Sequence, residues 1–181
     1  MNSFKNLLIA FSVLFAVFTV ILDDGNDRVA IAADRIKLTS LVEPCELIPK
    51  NEAESIMGTA LQEGKYSENK KVGQKICIYE AENTNSFVFL QISLTQNGFI
   101  SSNVLSSGQN AKAIYTSIKN AFPDRENISR IGDDAFIATP GIHILVGDYY
   151  LAIGAGNIMR NKDKLIKAGD KAVANLRLAQ K

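Results

Sequence analysis

Two hydrophobic periods alternate along the chain, and each marks one kind of element. Residues 87–95 place Val88, Leu90, Ile92 and Leu94 on one side, at the period of two that a strand with one buried face requires. Residues 74–80 repeat the pattern, with Ile76 and Ile78 on one face and Cys77 and Tyr79 on the other. A weaker strand pattern precedes them at residues 60–66. The stretches 69–73 and 82–86, rich in Asn, Lys, Gly and Ser, separate these strands as turns. Further on, a strand is predicted from residues 128–131 running on through 135–138. Two more follow at 142–146 and 149–153. Thr139-Pro140-Gly141 and Gly147-Asp148 divide the three, and the second pair suits a two-residue hairpin.

The helical period appears three times. Residues 51–57 carry Ala53, Ile56 and Met57 on an inner side. Pro49 is tolerated at such a start, and Gly58 is a stop signal. Residues 109–122 repeat Ala111, Ile114, Tyr115, Ile118 and Phe122, with Ser106 or Ser107 as the cap and Pro123 as the end. Residues 161–178 carry a narrow stripe of Leu165, Gly169, Ala172, Val173 and Leu176. Residues 35–42 read as extended. The order is therefore helix and three strands, helix and three strands, then a last helix. Hairpin-linked strands separated by helices predict an α+β fold: an antiparallel sheet of about six strands with three helices, in two similar halves. The helices are expected to cover one face of the sheet.

The N-terminus departs from both periods. Residues 7–22 are apolar except for Ser12 and Thr19, a run of 16 that follows Lys5 and precedes Asp23, Asp24 and Asp27. A membrane-spanning helix needs ~20 apolar residues and a signal-peptide core ~7–15. Positive charge before the run and negative charge after it orient its start toward the cytosol. Ala30-Ile31-Ala32 offers the small residues of a signal-peptidase site. Residues 1–32 thus read as a signal peptide cleaved near Ala30 and Ala32, and residues 33–181 as one α+β domain. The alternative is an uncleaved anchor that contacts the membrane through residues 7–22. Either way the domain is exported, to a periplasmic or extracellular location in the cell envelope.

Composition narrows the partners. The chain has 20 basic and 19 acidic side chains; beyond Ala32 there remain 18 and 16, a net charge of +2. No block of like charge suggests a nucleic-acid tail. Cys45 and Cys77 are the two cysteines. In an exported chain that count predicts a disulfide bond. Their spacing is too wide for C-x-x-C redox chemistry. With a single histidine in the chain, they are also too few for a zinc site.

Candidate chemistry is sparse. His143 alternates with Ile142 and Ile144 on a predicted strand and reads as a surface or half-buried residue, not a catalytic base. No serine lies in a G-x-S-x-G elbow. Gly154-Ala155-Gly156 lies between a strand and a helix, but position 159 is Met where a dinucleotide loop carries its third glycine. It reads as a turn. Asp133 and Asp134 could hold a metal or act as acid and base, but beside Gly132 they read as flanking a turn. The acidic stretch 23–27 lacks the alternate spacing of a calcium loop. Arg160, Lys162, Lys164, Lys167, Lys171, Arg177 and Lys181 make the last helix basic, which suits the solvated face of a docked helix better than a lipid surface. No catalytic residue, cofactor or metal site is assigned.

One pattern crosses the elements. Cys45-Glu46-Leu47-Ile48 precedes Glu52-Ala53-Glu54 and Gly58, Cys77-Ile78-Tyr79 follows, and Gly132-Asp133-Asp134-Ala135-Phe136 comes before the Gly147-Asp148 hairpin. Over roughly residues 43–155 this resembles small exported proteins of unknown function common among actinobacterial lipoproteins, with their C-x-L, E-A, G, C-x-Y and G-D-x-A-F elements. The resemblance implies a disulfide between the two matching cysteines and an α+β domain outside the cytosol. It implies no activity. No lipobox cysteine follows the apolar run, so it does not extend to a lipid anchor. The expected function is a non-enzymatic binding domain for a small ligand or an envelope protein. The alternatives are a hydrolase-type enzyme with a scattered site and a membrane-anchored structural accessory protein.

Overall fold

A computed structural model describes residues 41–83 and 87–181 of the chain. The signal-peptide, anchor and acidic-stretch readings, and nearly all of the extended 35–42 segment, lie outside the described residues.

The strand periods build one antiparallel sheet. Its strands are β1 (Lys65–Asn69), β2 (Gln74–Glu80), β3 (Phe89–Gln96), β4 (Glu126–Ile128), β5 (Asp134–Ala138), β6 (Gly141–Val146) and β7 (Tyr149–Gly154). They lie in the order β1-β2-β3-β7-β6-β5-β4. The sheet is thus two meanders joined last strand to last strand, with Ile92 opposite Ile153 at the seam. Among the described residues five α-helices accompany it: α1 (Pro44–Leu47), α2 (Lys50–Met57), α3 (Ser102–Ser106), α4 (Ala111–Ala121) and α5 (Ile158–Ala179). The α+β class and the antiparallel sheet agree with the sequence reading.

The alternation along each strand decides the layers. Leu90, Ile92 and Leu94 of β3 join Ile142, Ile144, Leu151 and Ile153 on one face, under α1, α2 and α5. The stripe on α5 supplies Leu165, Ala172, Val173 and Leu176 to this layer, all buried. The other face of β5, β6 and β7 presents Phe136, Leu145 and Tyr150 to Ala111 and Tyr115 of α4. Helices therefore cover both faces of the sheet, not one. The apolar stripes of α4 and α5 do not themselves say which face each will meet, so the one-face expectation had no local signal to correct it.

Other departures have local causes. The sheet has seven strands because residues 128–138 are not one strand but the hairpin of β4 and β5, with Ile128 opposite Ala135. Arg130 (φ 73°) and Gly132 (φ 66°) reverse the chain between them. β1 starts at Lys65, and of the weak 60–66 pattern only Leu61 forms an isolated bridge, to Ala81. All five residues of β1 are exposed, so it carries no hydrophobic period. The extra helices α1 and α3 are too short to show one. Because Ser106 lies inside α3, neither Ser106 nor Ser107 caps α4; Asn110 does, its side chain accepting from Ala113 N at 2.8 Å. α5 begins at Ile158, capped by Asn157, whose Oδ1 accepts from Arg160 N at 3.0 Å. It kinks at Asn161, whose amide turns back to donate to the Ala155 carbonyl.

Candidate functional site

The two cysteines are bonded to each other, with Cα atoms 5.3 Å apart and a sequence separation of 32. The bond ties α1 to the middle of β2. Tyr79, two residues on and on the same face as Cys77, donates its hydroxyl to Ile48 O at 2.9 Å and approaches Cys45 O at 3.3 Å. Burial pushes that hydroxyl up to about 12, with Tyr66 and Glu63 adding to the shift. Gly64 crosses directly over the bridge, where a Cβ would lie 2.6 Å from the Cys45 sulfur. The C-x-L and C-x-Y elements are therefore one staple between helix and sheet.

The glycine–aspartate element is also structural. Gly132 holds φ 66°, and a Cβ there would lie 2.5 Å from Leu145 O. The Asp133 carboxylate accepts from Gly147 N at 2.6 Å, closing the β6–β7 hairpin. Asp134 pairs with Lys119 of α4. The two carboxylates are thus engaged with different partners, Gly147 N and Lys119, and do not form an acid–base pair.

His143 is buried, at 2% exposure, where the sequence suggested a surface or half-buried place. The reason is α4, which closes over its face of the sheet. Its ring stacks on Phe136 at 4.6 Å. Nδ1 lies 2.7 Å from the Tyr150 hydroxyl and Nε2 lies 3.3 Å from Thr139 O. A carbonyl can only accept, so Nε2 carries the proton and Tyr150 donates to Nδ1. Desolvation holds the imidazole below its usual range, against the opposing backbone hydrogen bonds of Thr139 and Ala138. Burial also pushes the Tyr150 hydroxyl up. Burial, with the nearby Asp134 carboxylate, does the same at Tyr115. Among the described residues the buried Tyr115 hydroxyl has no partner at full hydrogen-bond geometry, Asp134 being the nearby acceptor. Both nitrogens of His143 are thus committed to internal contacts.

Gly154-Ala155-Gly156 is a tight turn into α5, with φ 73° at Gly156. Several cations of α5 are engaged with neighbouring elements. Lys162 pairs with Glu126 of β4, Lys171 pairs with Glu52 of α2 at 2.9 Å, and Lys164 donates to the Met57 carbonyl at 2.8 Å. This suits the docked-helix reading of the basic stripe.

A cavity of about 510 Å³ opens at the N-terminal end of α5. Its first wall is the segment after α4, where Pro123 ends the helical run and Arg125 turns back. Arg125 Nη1 donates to Lys119 O at 3.0 Å and to Phe122 O at 2.9 Å, joining the backbone N–H groups of Phe122 and Arg125 that the same two carbonyls accept at the helix end. The second wall is the end of β5, with Ile137, Ala138 and Thr139. The third is the first turn of α5, where Ile158, Met159 and Lys162 face the opening. Met159 is 88% exposed, an unusual place for a large apolar side chain. Among the described residues Arg125 Nε is buried without a hydrogen-bond partner. The volume falls within the ~300–1,000 Å³ of small-molecule sites, and apolar walls with a few polar groups are their usual lining. On the other side of the same turn, a more polar hollow of about 530 Å³ lies between Phe89, Asn157, Arg160 and Lys164.

Sequence reasoning did not find the cavity or Arg125. The one usable signal was Pro123 beside a run of charges, which marks a helix end but not a ligand site. Among the described residues, no group of three or more His, Cys, Asp and Glu side chains is placed to hold a metal ion. Among them, too, no helix is long and apolar enough to cross a membrane. No family model, curated protein or solved structure matches the chain.

Proposed function

We propose that the chain is an exported, non-enzymatic binding domain of the cell envelope, and that its ligand occupies the cavity between the α4–β4 segment, the end of β5 and the first turn of α5. The observation that carries this reading is the cavity itself: an apolar recess of about 510 Å³ bordered by Met159, with Arg125 in its wall. His143, Asp133 and Asp134 are each held in contacts that serve the fold. That favours binding over hydrolysis.

Saturable binding of an apolar fluorescent probe, 1-anilinonaphthalene-8-sulfonate, to the natively folded protein tests the cavity. One site is expected, weakened at least about tenfold in Met159→Glu, which brings a charge to the apolar rim. A linear, unsaturable signal would remove the reading. Export rests on residues 7–32. N-terminal sequencing of the protein from its native compartment is expected to start near residue 33, and a start at Met1 would leave only the anchored alternative.

A further inference from the structure

The walls of the cavity carry charges that cancel. Among the described residues its lining holds two cations, Arg125 and Lys162, and two carboxylates, Asp124 and Glu126. Lys162 of α5 and Glu126 of β4 are paired with each other. Arg125 commits Nη1 to the carbonyls of Lys119 and Phe122, and its Nε is buried within the protein. Asp124, its neighbour in the chain, supplies the opposite charge. An ionised group entering the recess would lose water and find no unmatched charge of opposite sign, so its burial is unfavourable whether it is an anion or a cation. Phe122, Ile137, Ile158 and Met159 supply the apolar surface, and Met159 at the rim leaves most of its own area to be covered.

We infer that the ligand is an uncharged, largely apolar small molecule, and that the pairing of Lys162 with Glu126 is what turns carboxylates and amines away alike. This assignment rests on the cavity being the binding site, as proposed above. It names the chemistry that the cavity selects. The sulfonated probe is subject to the same penalty; it reports occupancy of the apolar walls, not the preferred ligand.

Titration calorimetry at neutral pH with decanol, decanoate and decylammonium, all below their aggregation limits, compares one chain with three head groups. Decanol is expected to bind at least about tenfold more tightly than either ion. Binding of none of the three would overturn the cavity as the site. Binding of decanoate or decylammonium as tightly as decanol would leave the cavity standing and overturn the uncharged assignment. Two variants read the same ratios. Glu126→Gln leaves Lys162 without its partner and is expected to raise decanoate relative to decanol by about tenfold. Lys162→Gln leaves Glu126 unmatched and is expected to do the same for decylammonium. Both side chains are near half exposed, so the fold does not depend on the pair. An unchanged ratio in either variant would overturn the role of the pair.

Discussion

Compare the strand at the centre of each meander. In β2, buried and half-buried residues alternate strictly from Gln74 to Glu80, whereas in β6 every residue from Gly141 to Val146 is buried. Among the described residues β2 is covered on one face, by α1 and the elements beside it, while Ile76 and Ile78 stay half-exposed on the other. β6 lies between α5 and α4. Each half is secured in keeping with its layers. The one-sided half uses covalent and polar ties: the Cys45–Cys77 bond, the Tyr79 hydroxyl on α1, and Lys75 paired with Glu43. The two-sided half uses apolar volume, with Phe136, Tyr115, Tyr150 and the stacked His143 filling the layer under α4. A half that buries less surface gains most from a cross-link that restricts its unfolded state.

Truncation at the two-sided layer is the largest expected loss. Phe136→Ala should cost about 3–5 kcal/mol in urea unfolding, while Ile78→Ala on the open face should cost only about 1 kcal/mol. Equal costs would mean that the two halves do not differ as their burial says. Removal of both cysteines, as Cys45→Ala with Cys77→Ala, should cost about 3–4 kcal/mol by the chain-entropy relation. Hydrogen exchange should then rise in β1 and β2 before it rises in β6, and a uniform rise would refute the local role of the bond. Tyr79→Phe should cost about 1 kcal/mol, because the Ile48 carbonyl loses its buried donor.

The smallest effect concerns pH and belongs to the two-sided half. His143 is held below the usual histidine value of 6.5. The unfolded chain therefore binds a proton there before the folded chain does. The contribution of neutral His143 is complete above 6.5 and is lost as pH falls toward the lower folded value. Unfolding midpoints measured from pH 7.5 down to pH 5 should decline, and His143→Gln should flatten that part of the decline. An unchanged slope would show that His143 does not carry it.

Little of the candidate site was legible along the chain. Its walls come from residues 122–126, 137–139 and 158–162, each of which reads as an ordinary turn or helix start. Arg125 acquires its place from the carbonyls of Lys119 and Phe122 at the end of α4, and its neighbours in the cavity wall from segments far away in sequence. By contrast, the C-x-Y and G-D-D-A-F elements were visible at once as short runs of distinctive residues. What those motifs do still required the fold. The Asp133 carboxylate acts on Gly147 and the Cys77 sulfur on α1, and neither partner is near in sequence.

The sequence by itself determined the strand faces of β2 and β3, the buried stripe of α5, the stop at Gly58 and the α+β class. Each follows from a period or a backbone preference that a few consecutive residues can express. The tertiary structure alone decided that β3 meets β7, that α4 crosses to the second face, and that His143 is sealed beneath it. A helical stripe records that one side must be covered but not by which partner. That choice is made by the summed packing of both meanders, and it also shapes the recess at the start of α5.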